Sequence, residues 1–347
     1  MSRTLLLIEF IALIFTFVNG THFLGGTITW HHLNSLDTGS PIAFVITQTY
    51  SWTWSAAPCT SSNIATSVAV PVSTNYNGIS NKLNCVLNCV TATGYVAPGI
   101  WPDCTDASTV QNTTAAQRSD IVYVPRNADF IGAFASSAWH SLATNSAAGW
   151  SIASRVELTP RSDNGLYNNA PVATVMSPIN IPQYQPTAIH TPVGDDDGDT
   201  LRGRWSSGTT ECGDVCPPGS LPSGTLIFPN CTIIITGTNV DDCLSFYSSI
   251  EEFISPSSAT PLSSIPVQFL IHVVAPPSCS ILPQVYELSQ QSCIPITAGQ
   301  TFTSCLIAIN DCDASVSIID ISTLSFAEMD KSNIIKQDSM TYYKILS

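Results

Sequence analysis

Five consecutive residues, Asp195-Asp196-Asp197-Gly198-Asp199, carry the densest chemistry in this 347-residue chain. Carboxylates at the alternate positions Asp195, Asp197 and Asp199 can turn several oxygens toward one hard cation, and Gly198 permits the tight turn that this requires. Ca2+ takes about six to eight oxygen ligands, so three side chains are only part of a site. An EF-hand loop counted from Asp195 needs Gly at its sixth position and Glu at its twelfth. Thr200 and Ser206 stand there, and that template fails. The plainer reading is a solvated Asp/Gly turn balanced in part by Arg202 and Arg204. Residues 169–275 carry ten acidic side chains against two basic ones, a concentration of charge that favours a cation. Glu211, Asp214, Asp241 and Asp242 could complete the set, but spacing alone does not bring them near. The expected metal ligands are therefore Asp195, Asp197 and Asp199, with Ca2+ as the candidate ion and no cofactor required.

Other reactive residues point to less. Cys85-x-x-x-Cys89 and Cys212-x-x-x-Cys216 have the look of zinc pairs, yet neither has the second short pair that a four-ligand site needs. Were His22 the first residue of a mature chain, its amine and imidazole could grip copper in a histidine brace, as in secreted polysaccharide monooxygenases. Cleavage after Gly20 fits the small-residue rule better, and no second brace histidine can be assigned. His31-His32 reads as an exposed strand end. No G-x-S-x-G elbow is present, and His140, His190 and His272 have no recognisable Ser/Asp context, so no catalytic residue is assigned. Trp30, Tyr50, Trp52, Trp54, Trp139 and Trp150 could form a carbohydrate platform. Tyr50, Trp52 and Trp54 share strand parity, however, which reads as an inward, core-forming face.

The elements that must position these residues belong to an all-β protein. Charged residues are only 10% of the chain, whereas turn-forming types are abundant. Residues 1–20 have Arg3, an apolar run from Leu5 to Val18 and a Val18-Asn19-Gly20 cleavage signature, the pattern of a signal peptide. No later stretch is long and apolar enough to span a bilayer. Twelve cysteines in three sets of four suggest three closed units: Cys59, Cys85, Cys89, Cys104; Cys212, Cys216, Cys231, Cys243; and Cys279, Cys293, Cys305, Cys312. Behind a signal peptide they read as disulfides, with pairing open within each set. Asn112 and Asn230 head glycosylation sequons. A formal charge of −14 disfavours nucleic acid and anionic membranes as partners.

Strand-like runs are expected at 26–30, 41–50, 120–124, 201–205, 225–236, 266–275, 299–309, 316–321 and 341–346. The clearest is 150–158, where Trp150, Ile152, Ser154, Val156 and Leu158 alternate with Ser151, Ala153, Arg155 and Glu157 as in a half-buried strand. Residues 60–114 read as large loops tied down by disulfides. Turn chemistry at Ser162-Asp163-Asn164-Gly165 marks a boundary, dividing the chain into a Cys-rich β domain (21–168), an acidic Ig-like sandwich (169–275) and a third module (276–347). That last module is expected to be incomplete at its C-terminus.

Several blocks together resemble large multi-module extracellular proteins of invertebrate animals: the run His22 to Trp30, Gln48 to Trp54, Ser136 to Trp139, Arg161 to Gly165, Asp197-Gly198-Asp199 with Arg202 to Trp205, and Pro261 to Leu270. The acidic turn is similar to the D-x-D-G-D turn of Ig-like and cadherin-like sandwiches, where Ca2+ sits near a domain end. The resemblance implies tandem Ig-like or cadherin-like β-sandwich modules in a secreted or surface-exposed protein. Its expected function is structural, adhesive or ligand-binding, toward an extracellular protein or glycan and stiffened by Ca2+. The alternatives are a copper-dependent glycan-active enzyme, or a receptor ectodomain whose membrane anchor lies beyond residue 347.

Overall fold

A computed structural model describes residues 22–70, 82–216, 221–279, 281, 283–287, 295–312, 315–321 and 329–347. The segment read as a signal peptide lies outside them. The chain is all-β, with 46% strand and 4% helix. From the N-terminal side the strands are β1 (Phe23–His32), β2 (Ile42–Thr53), β3 (Asn84–Leu87), β4 (Asp103–Ser108), β5 (Thr113–Val124), β6 (Asp129–Ser137) and β7 (Gly149–Glu157). A one-turn helix α1 (Ser61–Ala65) lies between β2 and β3. Then come β8 (Val172–Ala173), β9 (Ile179–Pro182), β10 (Thr187–His190), β11 (Val193–Gly194), β12 (Thr200–Trp205), the short helix α2 (Gly208–Cys212), β13 (Leu226–Ile227), β14 (Thr232–Ile235), β15 (Cys243–Phe253) and β16 (Ser263–Val274). The last four are β17 (Gln284–Glu287), β18 (Ser304–Ile309), β19 (Ile335–Lys336) and β20 (Thr341–Leu346).

An eleven-stranded sheet runs β3-β6-β7-β16-β1-β2-β5-β4, with β15 on the other side of β16, β12 on β15, and β9 parallel to β16. Strand β16 is the hub: Ser264 meets Arg155 of β7, Thr27 meets Val267, and Ile271 meets Ile179 of β9. Such a strand must be apolar on both faces, and Ile265, Val267, Phe269 and Ile271 are buried together with Gln268 and Leu270. Gly25 makes the β1–β16 crossing possible. Its φ is 140°, and a side chain there would run into the Gln268 carbonyl. The lengths of chain on either side of residue 168 thus contribute to one sheet and one hydrophobic core.

That core is aromatic. Phe23 stacks on Trp150 at 4.3 Å and meets Trp139 and Trp52 edge-on at 4.9 and 5.1 Å. Trp30, Tyr50, Trp52, Trp139 and Trp150 are all buried, as the inward-facing reading expects; Trp54 is half-buried. Strand β7 departs from the half-buried pattern, because its serine face is covered as well. Ser151 donates to the Thr210 carbonyl of α2, and Gly149 N–H donates to Asp214 at 2.9 Å.

A smaller sheet, β10-β14-β13, lies against β12 and β16, with Cys231 packed on Gly203 and Gly237 on Val273. The single strand expected at 225–236 is split here. Pro229 supplies no N–H and Cys231 has φ 62°, so the chain turns into a β13–β14 hairpin. A four-stranded sheet, β17-β18-β20-β19, closes the described chain around Ala308, Ile321 and Tyr342. The strand expected at 316–321 does not form. Its Val316 and Ile321 carbonyls accept from Asn310 Nδ2 and Lys344 Nζ instead of from a neighbouring strand. Lys331 pairs with Asp106 at 2.9 Å, and Ser108 donates to Asp320, tying this sheet to β4.

Among the described residues four cysteine pairs are bonded: Cys59–Cys104, Cys85–Cys89, Cys212–Cys216 and Cys279–Cys312. Each lies within its own set of four. Full pairing does not hold for the second set, where Cys231 and Cys243 are buried thiols. Cys231 packs on Gly203, which faces Ile250 on β15, whereas Cys243 starts that strand seven residues earlier. The separation is roughly 23 Å at about 3.3 Å per residue, far beyond a disulfide's reach of about 7 Å. Cys305 has no disulfide partner among the described residues, and Cys293 lies outside them. No described helix is long and apolar enough to cross a membrane.

Candidate cation site

The acidic turn joins β11 to β12, and its shape is set by its own side chains. Asp195 Oδ1 accepts from the N–H groups of Asp197 at 3.0 Å and Asp199 at 2.8 Å, while Gly198 takes φ 76°. The other Asp195 oxygen is thereby aimed away from the turn. Pairing then does what local sequence cannot. Leu201 is directly opposite Glu252 on β15, and Glu252 is directly opposite Ser263 on β16. Residues directly opposite one another point to the same face, and Asp199 has the parity of Leu201. Asp199, Glu252 and Ser263 are therefore brought to one face of three adjacent strands.

A segment from the 161–168 turn covers that face. Arg161, with a side chain only 4% exposed, donates all five of its N–H groups there. Nε and one Nη2 hydrogen reach Asp163 at 3.1 Å each, and a second Nη2 hydrogen reaches Asp199 at 2.7 Å. Nη1 donates to Asn168 Oδ1 at 2.9 Å and to Asp199 Oδ2. These bonds to Asp199 and Asp163 hold the guanidinium pKa above its ordinary value and pull the Asp163 carboxyl below its own. Asn168 Nδ2 in turn donates to Glu252 Oε1.

What remains is a pair of unserved oxygens. Glu252 is 0% exposed, and its Oε2 has no hydrogen-bond partner; neither has Asp195 Oδ2. The buried Ser263 hydroxyl adjoins Glu252, where its interaction with the carboxyl favours the charged form against the effect of burial. Burial, then the neighbouring Asp195 carboxylate, pushes the Glu252 pKa up to about 10. Asp195, Asp199 and Glu252 each offer an oxygen within 4.8 Å of the others. Chemically, such a cluster is completed by a proton shared between carboxyls or by a hard cation.

The structure brings together Asp195 and Asp199 of the expected ligands, but not Asp197. Asp197 accepts from Asn169 N–H at 2.7 Å and Asn169 Nδ2 at 3.2 Å, and so anchors the chain after Asn168. Arg202 and Arg204 do not balance the turn. Arg202 donates to the carbonyls of Ser258 and Pro256, and Arg204 pairs with Glu211 and Glu251. Asp214 is engaged with Gly149, Asp242 with Asn239 at 3.0 Å, and Asp241 lies 3.6 Å from His272. None of them completes the cluster. Glu252 had a legible signal: Leu244, Phe246, Ile250 and Glu252 share parity on β15, which marks position 252 as inward-facing.

The remaining candidates are distributed elsewhere. His31 is exposed, but His32 is buried against Tyr167, donating from Nδ1 to the Asn168 carbonyl at 2.8 Å. Its pKa falls to about 4 because burial disfavours the charged ring. His22 Nδ1 is 3.2 Å from Thr53 Oγ1, and among the described residues no set of histidine nitrogens converges as the three carboxyls do. Asn112 and Asn230 both lie in exposed turns, as sequons should. Compared with protein-family models, curated proteins and solved structures, the chain matches none.

Proposed function

We propose that this protein is an extracellular structural or adhesive ectodomain that engages a protein partner through a disulfide-pinned apolar loop. The observation that carries this reading is at β3, the terminal strand of the large sheet. There Val86, Leu87, Val90 and Val96 are 47%, 51%, 87% and 74% exposed around the Cys85–Cys89 bridge. Apolar side chains presented this way are an interaction surface. The loop is also held rigid. Thr91 Oγ1 donates to the Asp129 carbonyl, Tyr95 OH donates to Leu83 O at 2.8 Å, and the Tyr95 ring packs on Phe130. A pre-ordered loop loses little entropy on docking. Four disulfides, exposed sequons and the apolar N-terminal run support an oxidising, extracellular setting. Strands β12, β15 and β16 facing β10-β14-β13 form, in this reading, an Ig-like sandwich within a modular chain.

The test is a binding titration of fluorescent, secreted protein on intact animal cells. Saturable binding that drops at least tenfold in Leu87→Asp/Val90→Asp, with unchanged thermal unfolding, supports the proposal. Absence of saturable binding, or equal binding by the variant, overturns it.

A further inference from the structure

We infer that Asp195, Asp199, Glu252 and the Ser263 hydroxyl form a binding site for one Ca2+ ion. The site needs no adhesive role to exist, and it lies on other strands than the apolar β3 loop. Three observations converge. First, Glu252 Oε2 and Asp195 Oδ2 are buried carboxyl oxygens without a donor. When both are ionised, two carboxyl oxygens facing each other cannot satisfy one another, so a shared proton or a cation belongs between them. Second, the nearest guanidinium cannot serve them, because every N–H of Arg161 is committed to Asp163, Asn168 or Asp199. Third, the spacing suits the ion. Oxygens on opposite sides of a Ca2+ are about 4.8 Å apart, twice a bond of about 2.4 Å, and the three carboxyls lie within 4.8 Å of one another. Mg2+ dehydrates reluctantly and demands near-ideal octahedral geometry, which three carboxyls held by the protein do not supply.

The ligand atoms come from parts of the chain far apart in sequence: the β11–β12 turn, the end of β15 and the start of β16. The 161–168 turn closes over them through Arg161 and Asn168. An ion here fastens the long β15–β16 pair to the acidic turn and its covering segment. With three carboxyls and one hydroxyl from the protein, water completes a shell of about six to eight oxygens. Shared ligation by Asp199, which also holds Arg161, weakens the site, and an affinity in the range of extracellular modules, about 10⁻⁴–10⁻³ M, is expected.

Calorimetric titration of CaCl2, and separately MgCl2, into the chelator-treated secreted protein tests this. One Ca2+ per chain with weaker Mg2+ binding is expected, and thermal unfolding should shift upward with Ca2+. Glu252→Gln and Asp195→Asn should each lower Ca2+ affinity at least tenfold while keeping the far-UV spectrum. Asp197→Asn, outside the ligand set, should keep affinity within about threefold. Absence of a one-to-one Ca2+ isotherm overturns the inference, as does wild-type affinity in folded Glu252→Gln. Cell binding that survives these substitutions separates failure of this site from failure of the ectodomain reading.

Discussion

Replacing Arg161 with methionine removes the positive charge packed among Asp163, Asp197 and Asp199 while keeping most of the side chain's length. Arg161 and Asp199 are each 4% exposed, so this pair is desolvated on both sides, whereas Asp163 is 34% exposed and screened by solvent. Truncating one member of a buried pair costs about 3–5 kcal/mol, because the remaining charge has neither water nor a partner. An exposed pair is worth about 0–1 kcal/mol. The loss should therefore fall on Asp199 and on the Asn168 side-chain Oδ1, with little from Asp163. Removing the stranded charge as well, in Arg161→Met/Asp199→Asn, should recover roughly 2–3 kcal/mol, the coupling expected of residues in direct contact. The assay is urea unfolding in chelator with disulfides intact, followed by tryptophan fluorescence, for wild type, both single variants and the double. A single-variant cost below about 1 kcal/mol, or additive effects in the double, would refute the idea that a desolvated ion pair organises this turn.

Two further outcomes can be checked on the same protein. His32 is neutral when folded, with a pKa near 4 against 6.5 when unfolded, so the unfolded chain binds more protons between those values and stability is lost as pH falls through that window. The loss totals about 3 kcal/mol, and His32→Gln should flatten this part of the unfolding profile; an unchanged slope would show that the ring is not held neutral. Cys59–Cys104 closes a sequence separation of 45, and Cys85–Cys89 one of 4. Paired Cys→Ser replacement should therefore cost about 4 kcal/mol at the first bridge and about 2 at the second, and equal losses would exclude restriction of the unfolded chain as the main effect.

Much of the scaffold was readable from local pattern. Alternation marked β7 and the buried row of β16, β20 was placed at its observed bounds, and the parity of Tyr50 and Trp52 correctly turned those rings inward. The acidic turn was legible too, since Asp195, Asp197 and Asp199 bond to one another within five residues. Periodicity reports which side of a strand faces inward, and turn chemistry acts between near neighbours. Both are properties of a short stretch of chain.

Only the tertiary structure decided what those stretches meet. It covered the serine face of β7 with α2, gave β16 four neighbouring strands, and ran one sheet through chain on both sides of residue 168. It also left Cys231 and Cys243 apart and turned Asp197 toward Asn169. Most of all, it carried Glu252 to Asp195. Glu251 and Glu252 are adjacent and chemically alike, yet one pairs with Arg204 while the other is buried beside a second carboxyl. The difference arises from strand register, which depends on the partner strand as much as on the residue itself.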